Sequence, residues 1–369
     1  MKSTTLHPEH HRSKQHFEIL DGLRGIAAIA VVVFHFMEFV VPDYKESFIA
    51  HAYLAVDFFF CLSGFVIAYA YDAKLTSIGF ARFFKLRLIR LHPMVIIGSI
   101  IGLIAFVFDP YSNLFDKYGM IKSLQMFITS CLMIPYPLVP ERYFNLFHLN
   151  APSWSLFWEY VANILYAFLL IRIRNKFLWL LVIIGAGALF YESFSSGFLG
   201  VGWGGDNARA GGIRVFYSFL AGLLVFRSGW ILRSSLGFFA LAVLLFISFL
   251  VPYIDDWNKV MDPLIVIFYF PFLIALGVGA QLTSMWKGLC KFLGDISYPL
   301  YMIHYPFLWI FLSYIESRKP SMAVMTAMIP IGTILLIAFA YFIFITIDKP
   351  IRRFLLDRVN KRPLLATAK

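Results

Sequence analysis

Apolar residues fall in blocks along the chain, at 26–42, 53–72, 93–108, 120–137, 155–171, 177–191, 213–226, 234–252, 263–283, 294–314 and 322–347, with Lys and Arg gathered in the short stretches between them. A helix of about 20 residues crosses a hydrocarbon core of about 30 Å. In that medium each segment must satisfy its own backbone hydrogen bonds, so blocks of this kind predict membrane-spanning helices.

Eleven crossings would leave the termini on opposite sides, and the basic stretches argue against that. Arg82, Lys85, Arg87 and Arg90 belong in the cytoplasm, as do Arg172, Arg174 and Lys176. Three blocks separate the two stretches, and an odd number of crossings cannot return the chain to its starting side. The block 120–137 is the weakest, with Lys122, Gln125, Thr129 and Ser130 inside it and Pro135-Tyr136-Pro137 at its end. It is expected to be re-entrant or interfacial, its backbone covered by protein. The fold class is therefore an all-α polytopic membrane bundle of about ten transmembrane helices with both termini cytoplasmic. That arrangement places 23 of the 32 Lys and Arg residues inside. A single membrane domain, 18–355, is expected between a polar cytoplasmic tail at 1–17 and a basic one at 356–369. The start of the chain lacks a cleavable signal pattern, so the first span is expected to direct insertion.

Composition agrees: 60% of residues are hydrophobic and 14% charged, where a soluble domain carries about 25% charged. The excess of Lys and Arg over Asp and Glu could suggest a nucleic-acid partner, but its placement between apolar blocks is the membrane pattern, and no nucleic acid is expected. Cys61, Cys131 and Cys290 form no CxxC pair; Cys290 is read in a short linker. The histidines at 7, 10, 11 and 16 read as a solvated tail, and no metal is expected. The loop 192–212, with Gly197, Gly200, Gly202, Gly204 and Gly205, lacks the Lys and Ser/Thr of a phosphate loop and is expected to be flexible. Ser63 and Gly64 read as helix-packing contacts, which serve packing within one chain or a homodimer equally well.

Ionisable side chains in lipid cost about 2.5–3.5 kcal/mol even on lenient scales, so each one is a candidate for function. At 1.5 Å per residue, His35 lies about 9–10 Å below the outer boundary, with Asp57 and Glu159 about 6 Å below it. His304 falls near the midplane, between Pro299 and Pro306. Three titratable groups at one level suggest one cavity, with His35 as general base and Asp57 or Glu159 holding its other ring nitrogen. The competing reading makes His35 and Asp57 a packing pair. Arg87 and Arg90 share a helical face, with Arg24 entering from the same side; arginine forks suit phosphate, although anionic lipid explains most such runs.

Six segments carry a resemblance. Leu20-Asp-Gly-Leu-Arg24 followed by His35, Val56-Asp57 through Ser63-Gly64, Arg87-Leu-Ile-Arg90, Trp154-Ser155-Leu-Phe-Trp-Glu159, Ser297-Tyr-Pro-Leu-Tyr301-Met-Ile-His304 and Asp348 to Arg353 occur in the order seen in acyltransferase family 3, the integral-membrane O-acyltransferases. The resemblance runs from about residue 17 to 355. Asp348 stands where Glu is commoner and Trp158 where a smaller residue is usual.

The resemblance implies a bundle of about ten spans. It implies transfer of an acetyl or other short acyl group from cytoplasmic acyl-CoA to a hydroxyl, usually of a cell-surface or exported glycan, in the bacterial inner membrane. Arg24 and His35 become the central pair, and Arg24, Arg82, Arg87 and Arg90 the candidates for binding CoA phosphates. Trp154, Tyr301 and His304 become candidates for substrate binding, while Asp57 and Glu159 keep the roles inferred above. Some relatives carry a C-terminal esterase-like domain; with sixteen residues after Arg353, this chain is expected to complete the transfer within the membrane. The expected partners are the glycan or lipid-linked sugar acceptor and membrane lipids. The alternative function is a glycan or lipid transporter without acyl chemistry.

Overall fold

In the computed structural model, which describes residues 17–361, the apolar blocks form helices, most of them joined by short connections. In chain order these are α1 (Glu18–Val40), α2 (Ala55–Tyr71), the single turn α3 (Leu75–Ile78), α4 (Phe80–Val107), α5 (Leu114–Cys131), α6 (Ser153–Phe168), α7 (Asn175–Ser196) and α8 (Ala208–Arg227). They continue with α9 (Phe238–Phe249), α10 (Asp255–Leu264), α11 (Phe270–Gly279), α12 (Ser284–Arg318), α13 (Met322–Ile343) and α14 (Lys349–Lys361). The described residues contain no β-strand, only isolated bridges. The histidine tail expected at 7–16 lies outside the described residues.

Among the described residues seven helices are long and apolar enough to cross a membrane: α1, α2 from Ala52, α4, α7, α8, the joined α10–α11 and the joined α13–α14. Their outward faces expose Ile183, Phe268, Ile334 and Leu335. Such surface would be unfavourable in water at about 25 cal/mol per Å² and is at home in lipid. The chain is a multi-pass membrane protein.

Helix α1 runs through the middle, packed along α12 and touching α2, α9 and α13. Helix α12 is 35 residues, about 52 Å, and stays continuous through Pro299 and Pro306 because surrounding helices cover the freed backbone groups. Cys290, expected in a linker, is buried inside α12.

Helices α2 and α8 approach almost backbone to backbone. A Cβ at Gly64 would fall on the Phe219 carbonyl oxygen, and one at Gly222 on that of Cys61. Gly64 is thus a packing residue, as its small size suggested. Gly222→Val is expected to destabilise the detergent-solubilised protein by about 1–3 kcal/mol, the range for overpacking. Gly187→Val, where a Cβ meets open space, should lower the melting temperature far less. Equal shifts would mean that this contact is not tight.

The segment expected at 120–137 has different bounds. Residues up to Cys131 continue α5, which bends at Gly119 (φ 70°) and exposes Met120, Ile121, Leu124 and Ile128. The irregular part is 132–152. It folds back against α4, where Gly102 leaves room for Leu149 and Gly98 for Asn150. Its polar groups bond to protein: Leu146 N donates to Trp203 O (2.9 Å), Trp309 Nε1 to His148 O (2.9 Å), and Arg142 to Ser313 Oγ (2.6 Å). Gly98 is nine residues, about 13 Å, from the end of α4, so α6 begins deep in the bundle.

The glycine-rich 192–212 segment is pinned rather than loose. Gly202 N and Gly204 N both donate to Asn207 Oδ1 (2.8 and 3.0 Å), and Leu199 N donates to the buried Asp262 (2.8 Å).

Candidate active site

His35 faces a cavity of about 350 Å³ near the C-terminal end of α1. One turn on, Glu38 lies on the same helical face, as i,i+3 spacing requires. Its Oε2 is 3.0 Å from His35 Nδ1, and its Oε1 accepts from Tyr44 Oη at 2.6 Å. A carboxylate only accepts, so Nδ1 is the donor in this contact, and in the neutral ring the lone pair is left on Nε2. Among the described residues Nε2 makes no hydrogen bond. The ring is fixed on its other faces by Tyr305, edge-on at 4.9 Å between centroids, and by His304, stacked at 5.6 Å. Trp154, Trp203 and Trp309 add aromatic wall.

The partner of His35 therefore differs from both expected carboxylates. Asp57 is fully buried beside Arg214, which reaches its Oδ2 through Nη2 at 2.5 Å and Nε at 3.1 Å. Arg214 also donates to the carbonyls of Val201 (2.7 Å) and Tyr53 (2.9 Å), and lies over Trp154. Asp57 thus neutralises a buried arginine that ties α2 to α8 and to the cavity wall. Losing one member would strand the other charge.

Glu159 lies away from His35, because α6 begins inside the bundle instead of at its edge. It lies in a second cavity of about 120 Å³, where its Oε1 accepts from Arg87 Nη2 (2.7 Å) and Ser63 Oγ (2.9 Å). Ser63 is therefore a polar member of this cavity as well as a helix residue. Arg24 and Arg90 join Arg87 in the lining. Arg24 is held by Ser297 Oγ (2.8 Å), Gly294 O (3.0 Å) and Asp21 (3.2 Å). Arg82 is exposed on α4 and does not line this cavity. Five residues from Arg87 turn it about 140° around the helix. Arg24, Arg87 and Arg90 form the arginine cavity without it.

Trp154 lines the His35 cavity, and Tyr301 lines both cavities. His304 lines neither. It is fully buried behind His35, its Nδ1 on Leu300 O at 3.1 Å and its Nε2 without a hydrogen-bond partner among the described residues. Among those residues no group of three or more His, Cys, Asp or Glu is arranged to hold a metal ion.

Glu38 and Arg214 are the residues missed in the sequence. Both are charges inside apolar blocks, at 26–42 and 213–226, and a census of every such charge would have flagged them.

A family model described as an acyltransferase domain, that of acyltransferase family 3, matches residues 17–347. The chain belongs to acyltransferase family 3. It is an O-acyltransferase by family. Trp158 lies over Gly211 and Gly212, and Asp348 is paired with Arg352 at 2.7 Å. Among curated relatives, protein 2 in the picA locus of Rhizobium radiobacter is 36% identical over 167 residues, 42% of this chain and 82% of that one. The peptidoglycan O-acetyltransferase OatA of Listeria monocytogenes is 29% identical over 51% of this chain and 29% of its own length. The O-acetyltransferase OatA of Staphylococcus aureus is 25% identical over 82% of this chain and 52% of its own. The chain thus spans about half or less of those two O-acetyltransferases. No solved structure matches it significantly.

Proposed function

We propose that this protein transfers an acetyl or other short acyl group from acyl-CoA on the cytoplasmic side to a hydroxyl of a glycan on the outer side of a bacterial cytoplasmic membrane. The observation that carries this reading is a pair of adjoining cavities, one lined by three arginines and one holding the His35–Glu38 pair. In this reading α6, α9 and α12 cross together with the seven long apolar helices, and the basic stretches assign both termini and the arginine cavity to the cytoplasmic side.

In this reading Arg24, Arg87 and Arg90 take the CoA phosphates, and Glu159 holds Arg87 in place. The pantetheine arm extends toward His35. Its Nε2 removes the proton from the acceptor hydroxyl as that oxygen bonds to the thioester carbonyl carbon. The C–S bond breaks, and the imidazolium returns the proton to the departing thiolate, leaving an acyl ester and free CoA. Glu38 keeps the required tautomer and stabilises the transient cation. The indole faces of Trp154 and Trp203 suit the apolar face of a sugar ring. A glycan acceptor is also what the name of the Listeria relative denotes for that protein.

Purified protein given radiolabelled acetyl-CoA and peptidoglycan fragments or a lipid-linked oligosaccharide is expected to move label onto the sugar. Acetyl-CoA at 100 times its Kd should add about 2.7 kcal/mol of stability by mass action. Absence of both transfer and stabilisation would favour a transporter.

A further inference from the structure

The two cavities share two side chains, Val56 and Tyr301. We propose that these residues form a rigid aperture between the cavities that selects acyl groups by cross-section, admitting straight chains and excluding those branched next to the carbonyl. The inference rests on the reading of the chain as an acyl-CoA-dependent transferase.

Three helices meet at the aperture, and each changes sides there. On α12, Tyr298 lines the arginine cavity, Tyr301 lines both, and Tyr305 lines the His35 cavity. On α6, Trp154 faces the His35 cavity and its neighbour Ser155 the arginine cavity. On α2, Val56 lines both, while Phe59 and Phe60 face only the arginine side.

The tyrosine ring is held in place. Its hydroxyl is 2.8 Å from Ser155 Oγ, and Ser155 also bonds Pro152 O at 2.9 Å, at the start of α6. Phe59 meets the ring edge-on, 5.6 Å between centroids. Tyr301 and Val56 are each 7% exposed, so neither swings freely into open space. During transfer, as the C–S bond breaks and the C–O bond forms at His35, the aperture holds the sulfur-bearing end of the pantetheine arm, whose cysteamine and β-alanine units carry no alkyl branch. The acyl group must pass the same opening ahead of it. A straight acyl chain is no broader than the arm, whereas a branch at the α-carbon adds a methyl group to the cross-section. In a fixed apolar site one such group is worth about 10–200-fold in discrimination.

Butyryl-CoA and isobutyryl-CoA test this directly, being isomers with equal atom counts. Wild-type protein is expected to use butyryl-CoA at least about tenfold better in kcat/KM. Val56→Ala, and separately Tyr301→Ala, should reduce that preference about tenfold, with melting temperatures confirming folded protein. Val56→Phe should depress transfer from butyryl-CoA as well. Equal use of the isomers by the wild type, or a preference unchanged within twofold in both widened variants, would overturn the aperture while leaving the transferase reading intact. Absence of transfer from every acyl-CoA would overturn that reading, and the aperture with it.

Discussion

His35→Gln is expected to lower kcat for acyl transfer by about 10²–10⁴, the usual worth of a positioned general base, equivalent to about 2.7–5.5 kcal/mol of barrier. The loss should sit in kcat, because the imidazole meets the acceptor proton most strongly as the hydroxyl attacks. KM for acyl-CoA should change little, since the site proposed for the nucleotide end of the donor is the other cavity, lined by Arg24, Arg87 and Arg90. The side chain is partly exposed to its cavity rather than wedged in the core, so the variant should fold. Rates within threefold of wild type in a folded His35→Gln protein would remove this residue from the chemistry.

Glu38→Gln should have an effect of similar size for a different reason. A carboxylate forces the proton onto Nδ1 and leaves Nε2 free to accept. An amide can present its N–H to Nδ1 instead, which moves the imidazole proton to Nε2 and disables the base. The equivalent change in a serine-protease triad costs about 10⁴ in kcat, and the wrong tautomer is the cause. The glutamate positions His35, so the test separates that role from a merely structural one. Glu38→Asp, which keeps the charge, should recover part of the activity, and KM for the donor should stay near wild type for both variants. Tyr44→Phe, which removes only the 2.6 Å hydrogen bond to the far carboxylate oxygen, should lose less than Glu38→Gln. Equal activity in the Gln and Asp variants would show that the charge on residue 38 does not matter.

The helices were legible in the sequence wherever an apolar block ran uninterrupted between basic stretches, because lipid leaves the backbone no alternative. Legibility failed where the chain uses protein instead of lipid to cover its backbone. Residues 132–152 are irregular, and only their packing against Gly98 and Gly102 of α4 shows how deep they run. The entry depth of α6 follows from that packing. A helix starting at the edge of the bundle would set Glu159 beside His35; with α6 starting deeper, Glu159 pairs with Arg87. Similarly, five residues of helix phase separate the cavity-facing Arg87 from the exposed Arg82, although both belong to one basic run. The tethering of the glycine-rich 192–212 depends on Asn207 and on the distant Asp262, and Asp262 is a partner that spacing does not announce.

Within the site, the sequence marked an intramembrane histidine and an arginine cluster, and the structure sets them in adjoining cavities, with Arg24 among the arginines rather than paired with His35. The sequence did not assign partners. The carboxylate that holds His35 is its own neighbour one turn along α1, while the more conspicuous Asp57 is occupied by Arg214. A buried arginine and a buried aspartate attract each other strongly enough to decide the pairing, and the partner's position depends on tertiary packing of α2 against α8.

Transfer across a bilayer tests the central claim most directly. Protein reconstituted in one orientation, with labelled acetyl-CoA confined to the cytoplasmic face and an oligosaccharide acceptor confined to the other, is expected to deliver label to the sugar without acetyl-CoA itself crossing. Label appearing only when donor and acceptor share one face would contradict the two adjoining cavities as the route.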